Sequence, residues 1–393
     1  MTEPHPARQP APAPSLQSPL HHRFADSNVL LLPYGPPAAP IDVVGAFEEV
    51  GLEYAALRKA AVLFDEPHTA ALVLRGPDRL TFLNSMLTQK VVDLAAGQTR
   101  PSFWLNRKGR IDADLRVIER GDHTLLLLDR HLAESTAASL NTYLFSEDCA
   151  ITSAAETHHT IALHGLGALA VLAAKASDPA LAEFAPNANA ACTIDGVDCI
   201  ADRDELTGDP GIRLIVPRVQ AERVYDALLA PAHGMPMVKV SGWYALNTAR
   251  IEAGRPLFNI DFGPDTLPAE TSLQDSRIDF RKGCYLGQEV VARMDARKTR
   301  KQGLAAIRVD TTDPNAEALL PGMGDRVFSP SDPEGNPIGV VTSSTISPML
   351  GAAAVAFAML RDAETIPGTA LLTQAEGRKV PATVQPALIL WKR

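Results

Sequence analysis

Residues 282–289 read Lys282-Gly283-Cys284-Tyr285-Leu286-Gly287-Gln288-Glu289. Gly283 and Gly287 permit close backbone approach, and Arg281 with Lys282 places positive charge beside the thiol, which favours thiolate. A helix is expected to begin near Gly287, with Gln288, Val291 and Ala292 on successive turns, and its amino end adds stabilisation for a nearby anion. Thiolate is the form that ligates metal, attacks disulfides or accepts sulfur, so Cys284 is the candidate functional cysteine. Cys149, Cys192 and Cys199 have no such setting and read as small buried hydrophobes. None of the four forms the closely spaced doublet of a zinc or cluster-ligand site, so no bound metal is implied, and a disulfide framework is not expected in so long a chain.

The eight residues of this stretch, extended by Phe280 and by Val290-Val291-Ala292-Arg293, resemble the signature of the YgfZ family, relatives of the glycine-cleavage T protein. Asp65, Val73 to Asp78, Leu105 to Val117, Trp243, Arg250 to Gly254 and Gly339 to Pro348 follow in the order that family shows. The resemblance implies an α+β fold, with three domains around a central channel and a small C-terminal β-barrel. It also implies binding of tetrahydrofolate, possibly polyglutamylated, and an accessory role in assembly or repair of iron-sulfur clusters with Cys284 as the functional thiol. Partners would then be iron-sulfur client enzymes or cluster-assembly proteins. The alternative within the same fold is a tetrahydrofolate-dependent aminomethyltransferase or demethylase-like one-carbon transferase, and a duller third is a folate-binding module without chemistry.

The same resemblance nominates ligand residues. A folate site needs an acid for the pterin edge, apolar walls, and basic groups at the mouth for the glutamate tail. T proteins supply the acid from Arg-x-x-Tyr-Thr-Gly-Glu. The matching run here is Arg203-Asp204-Glu205-Leu206-Thr207-Gly208-Asp209, which offers Arg203 and Asp209, although these residues also suit a plain turn between strands. T proteins further carry adjacent aspartates after a glycine turn. This chain has Asp112-Ala113-Asp114, keeping the second acid, and the loss of a carboxylate at Ala113 is read as arguing against aminomethyl transfer by the glycine-cleavage route. Strand alternation alone would put Asp112 and Asp114 together on a solvated face. Arg250, Lys282 and Tyr285 complete the expected ligand set, with Arg250 and Glu252 too close in sequence to share one helix face. Basic residues from Arg277 to Lys301 outnumber acids and suit an anionic folate tail, an acidic partner, or a solvated linker. His164 and His233 lack a close second ligand and read as structural.

Size and composition fit this outline. The chain has 393 residues, enough for two or three domains, with 46% hydrophobic and 21% charged residues and no apolar run of membrane-spanning length. A net charge of −9 argues against general nucleic-acid binding, no Gly-rich phosphate loop appears, and no secretory signal precedes the domains, so a soluble cytoplasmic protein is expected. The expected organisation is a disordered proline-rich tail over 1–26, the first part of an α/β folate-binding domain over 27–155, and a second α/β domain over 156–235. A helical return segment carrying the 282–289 stretch covers 236–302, and a β-barrel covers 303–393. Residues 42–64 are expected to be helical, in two helices.

Overall fold

The computed structural model describes residues 17–24, 29–231, 234, 236–297, 299–310 and 318–392. His233 and Lys298 lie outside the described residues, as does the expected tail over 1–16. The remainder of that tail departs from expectation: His21–Phe24 is a helical turn, and Leu20 and Phe24 are buried in a core they share with Leu163, Val216 and Tyr225. Proline density forecasts disorder only while nothing apolar docks, and two large side chains at 0% and 4% exposure supply the docking.

Among the described residues, two large sheets, a two-stranded sheet and a barrel make up the β-structure. The first sheet is antiparallel, ordered Thr99–Leu105, Ile111–Glu119, His123–Asp129, Thr69–Arg75, Ala150–Ser153. The second has six strands, ordered Asn189–Ile194, Val197–Arg203, Gly211–Pro217, His158–His164, Ala61–Asp65, Val238–Val240. Its last pair is parallel, with Val238 opposite Ala61. The expected domain limits are therefore crossed twice: Ala61–Asp65 and Val238–Val240 both complete the second sheet. Each is a short, apolar-rich run whose sheet is chosen by pairing partners far away in sequence, which local pattern does not reveal.

The segment 42–64 is not two helices. Ile41–Ala46 is a strand paired with Leu30–Tyr34, Val50–Lys59 is a helix, and Ala61–Asp65 is a strand. The β-branched Ile41, Val43 and Val44 favour the extended form, and only Tyr54 and Leu57 of the expected helical stripe sit on the helix as buried apolar residues. The predicted C-terminal barrel is present and closed, ordered Gln302–Val309, Ala353–Arg361, Gly339–Ser347, Arg326–Phe328, Ala370–Ala375, Arg378–Val384. Closure removes exposed edges and fills the interior with Ile307, Val327, Val341, Leu360 and Leu371.

The helix Trp243–Glu252 ties these units together. Arg250 is fully buried, donating from Nη1 to Asp261 at 2.5 Å and from Nη2 to Asn247 at 2.8 Å, and Asp261 accepts in turn from Thr342 and Ser343 of the barrel. Two residues on, Glu252 accepts from Tyr54 at 2.6 Å and Arg58 at 2.5 Å, and from Ser347 of the barrel. No described helix is long and apolar enough to cross a membrane.

Candidate active site

A cavity of about 970 Å³ opens where the two sheets, the strand pair Leu30–Tyr34/Ile41–Ala46 and the segment 255–277 meet, with Met323 of the barrel region at its edge. Asp114 lines it. The carboxylate receives a two-pronged contact from Arg277, Nε to Oδ1 at 2.8 Å and Nη2 to Oδ2 at 3.3 Å. Such paired geometry fixes the direction of the carboxylate as well as its charge.

The position of Asp114 follows from a β-bulge. Between Thr99–Leu105 and Ile111–Glu119, Ala113 pairs with Trp104 and Ile111 with Leu105, leaving Asp112 as the extra residue. The extra residue shifts the alternation, so Asp112 and Asp114 do not share a solvated face. Asp114 faces the large cavity, whereas Asp112 accepts from Asn106 Nδ2 at 2.8 Å and lines a smaller depression with Trp104, Tyr143 and Leu286. Ala113 is fully buried in the core beneath the first sheet.

Beside Asp114 the cavity wall is built on buried ion pairs, beginning with Arg116 two residues along the same strand. Arg116 donates to Asp202 at 2.6 and 3.1 Å, and lies 3.3 Å from Asp204; Arg213 donates to Glu66 at 2.8 Å and also to Asp204. Burial pushes the Asp204 carboxyl up, but the Arg116, Arg213 and Arg277 guanidiniums outweigh it and hold it well below the usual carboxylate range. Asp129 lines another side, accepting from Tyr34 and, at 2.9 Å, from Asn259 Nδ2. Burial, followed by Asp129, pushes the Tyr34 hydroxyl far up, so it stays a donor.

Arg203 lines the cavity near Asp204, its guanidinium donating to Glu205 at 2.5 Å and to the Phe184 carbonyl. Asp209 does not line it: the side chain is 1% exposed and receives Arg58 Nη1 at 2.6 Å on the far side of the 203–209 run. Arg250 is likewise absent from the lining, being enclosed by Asp261, Asn247, Trp243 and Phe357. Both charges are satisfied by partners the sequence does not flag, and this satisfaction is what turns them inward.

The stretch 282–289 also lies outside the lining. Lys282 Nζ donates to the carbonyls of Asn84, Leu87 and Gln89 at 2.6, 2.6 and 3.0 Å, closing the end of the helix Arg79–Met86. Tyr285 is buried in the core joining the first sheet to the barrel, beneath the Lys282 ammonium at 5.1 Å. Cys284 is exposed. The close approach expected of Gly287 is present: a Cβ there would stand 2.8 Å from the Asn106 carbonyl, and one on Gly109 would stand 2.8 Å from Val290. The signature thus docks the helix Gln288–Arg297 onto the 106–109 turn. The basic cluster is partly spent on pairs, Arg277 with Asp114, Arg293 with Glu289 and Arg300 with Asp362.

Arg277, Asp129, Tyr34, Asn259 and Arg255 line the cavity without having been singled out as ligand residues from sequence. Arg277 carried a signal as the first member of the basic run; the others sit in unremarkable local sequence.

Residues 32–281 match the GCVT N-terminal domain, and residues 304–389 match the glycine cleavage T-protein C-terminal barrel domain. The chain belongs to the glycine cleavage T-protein family. Among relatives in this family, the aminomethyltransferase of Staphylococcus carnosus is 25% identical over 370 residues, covering 94% of this chain and 96% of its own. The mitochondrial aminomethyltransferase of Dictyostelium discoideum is 26% identical over 346 residues, covering 84% and 82%. The crystal structure of aminomethyltransferase T from Bartonella henselae has the same fold, with a TM-score of 0.82 at 24% identity over 96% of this chain and 98% of that one.

These full-length T-protein relatives overturn the reading that Ala113 argues against aminomethyl transfer by the glycine-cleavage route. The structure supplies the physical reason. Position 113 points into the core, so a carboxylate there would not face the cavity, and the acid that does face it, Asp114, is present.

Proposed function

We propose that the protein is a tetrahydrofolate-dependent aminomethyltransferase. The carrying observation is Asp114, held by Arg277 in the wall of a cavity whose volume is at the upper end of the range for small-molecule sites. The family uses tetrahydrofolate, and this cavity fits it. Leu115, Leu127, Leu257 and Ile260 give apolar wall for the aromatic middle of a folate. Nε of Arg203, a donor, and Nδ1 of His68, a donor or acceptor according to its tautomer, are buried beside the cavity without a partner among the described residues and suit a polar ring edge. Arg255 is exposed, lines the cavity, has no ion-pair partner among the described residues, and suits the glutamate carboxylates.

In such a reaction the aminomethyl carbon leaves its carrier and joins the reduced folate, with ammonia released. Asp114 would orient the receiving nitrogen by accepting its hydrogen and would stabilise positive charge developing beside it. The buried ion pairs of Arg116, Arg213, Asp202 and Asp204 hold the wall rigid, so orientation costs no rearrangement at the moment of transfer. The test is formation of methylenetetrahydrofolate from an aminomethylated lipoyl carrier protein and tetrahydrofolate. Absence of turnover with a carrier that a known T protein accepts would refute the reading.

A second reading, an accessory role toward iron-sulfur enzymes of the YgfZ kind, is favoured by one observation: Cys284, within the signature, is the exposed cysteine of the four. It is tested by complementing a disrupted strain with the Cys284→Ser protein. Full rescue of iron-sulfur enzyme activity would remove it.

A further inference from the structure

Cys192 and Cys199 stand directly opposite each other in the antiparallel hairpin Asn189–Ile194/Val197–Arg203. The hairpin is closed by the two-residue turn Asp195-Gly196, both at positive φ of 48° and 74°, a geometry that fixes register. Directly opposed residues share a face and have Cα atoms about 4.5 or 5.5 Å apart, according to the class of pair. Both spacings fall within the roughly 4.4–6.8 Å that a disulfide spans. Cys199 is 3% exposed and Cys192 half-buried, and both pack on the same core, so their side chains converge.

We propose that Cys192 and Cys199 are an oxidation site, forming a reversible cross-strand disulfide with a small-molecule disulfide as oxidant. The two thiols have unequal roles. The neighbouring Cys199 draws the Cys192 thiol down, whereas Cys192 and burial push up the Cys199 thiol, whose Sγ donates to the Val197 carbonyl at 3.4 Å. Cys192, the less buried of the two, attacks as thiolate: its sulfur bonds to one sulfur of the oxidant, and the other half of the oxidant leaves as a thiolate. Cys199 then gives up its proton and attacks Cys192 Sγ, and the second half of the oxidant departs. Two electrons pass from the protein dithiol to the oxidant, which ends as two thiols carrying the two protons.

The strand Val197–Arg203 ends at Arg203 in the cavity wall, and Asn187, two residues before the strand Asn189–Ile194, also lines it, so the bond would tie together two strands that lead to one side of the candidate active site. The inference stands apart from the transferase reading, since it needs only the hairpin.

The experiment exposes the native full-length protein to excess glutathione disulfide, alkylates remaining thiols, and reads the tryptic peptide 176–203, which holds both cysteines. The expected result is a peptide lighter by two hydrogens and unalkylated, restored to two alkylatable thiols by dithiothreitol. In Cys199→Ser the same treatment leaves one glutathione on Cys192. Two alkylated thiols in the wild-type peptide, a glutathione adduct on Cys192 that persists without closure, or a bond from either residue to Cys149 or Cys284 would each overturn the proposal.

Discussion

Arg277 reaches Asp114 across 163 positions of sequence and grips both of its carboxylate oxygens at the cavity wall. The guanidinium fixes where the acid points, and under the transferase proposal the acid is the group that works on a substrate. Asp114→Asn keeps the shape and removes the charge, so turnover should fall by roughly 100-fold or more while tetrahydrofolate affinity changes by a few-fold at most. Arg277→Met should lower turnover less steeply, by loosening an acid that is still present. Steady-state kinetics with calorimetric titration separates the two, and wild-type turnover in Asp114→Asn would remove Asp114 from the chemistry.

Arg250 should matter for stability rather than for the ligand. Replacing it by Met leaves Asp261 buried without its cation at the junction between the helix Trp243–Glu252 and the barrel. The expected loss is about 3–5 kcal/mol in urea denaturation. Folate affinity of the folded fraction should stay within a few-fold of wild type, and a selective loss of affinity without loss of stability would place Arg250 at the ligand instead.

His164 sets an acid limit. It is fully buried, neither ring nitrogen has a hydrogen-bond partner among the described residues, and burial, partly opposed by Glu66, lowers its pKa from 6.5 to about 4. The unfolded chain therefore binds a proton that the folded chain refuses between these values, and stability falls as pH drops from about 6.5 to about 4, then levels for this group. The span corresponds to about 3 kcal/mol. Denaturation midpoints measured across this window should show a shallower acid slope in His164→Leu, and an unchanged slope would show that other groups carry it.

Arg255 should read the length of the folate tail. Arg255→Glu is expected to weaken polyglutamylated tetrahydrofolate by about tenfold, and the monoglutamate less, with the difference shrinking as salt rises. Equal weakening of both forms at every salt concentration would place Arg255 away from the tail.

The sequence carries the barrel and the α+β class, because short β-rich runs between turns and family motifs survive as contiguous text; Asp114 and Arg203 are nominated by the resemblance, and both line the cavity. The sequence does not carry the strand Ala61–Asp65 joining the second sheet, since its partners His158–His164 and Val238–Val240 lie far along the chain. The inward turn of Asp209 and Arg250 is hidden for the same reason. Each is decided by a partner, Arg58 for one and Asp261 for the other, whose proximity only the folded chain creates. The Tyr34–Asp129 contact spans 95 positions and has no local mark at all. Asp112 shows the limit from the other side, because one bulged residue reverses an alternation that sequence alone would read straight through.

The cavity wall draws on both sheets, the N-terminal strand pair and the segment that returns from the second sheet to the barrel. No one of these pieces contains a site that would survive excision. An occupant therefore acts as mortar between them, and every bound molecule shifts the balance away from opened forms that proteases attack. The lifetime of this protein in a cell would then rise and fall with the supply of what it binds, making its abundance a passive gauge of that supply without any dedicated sensor.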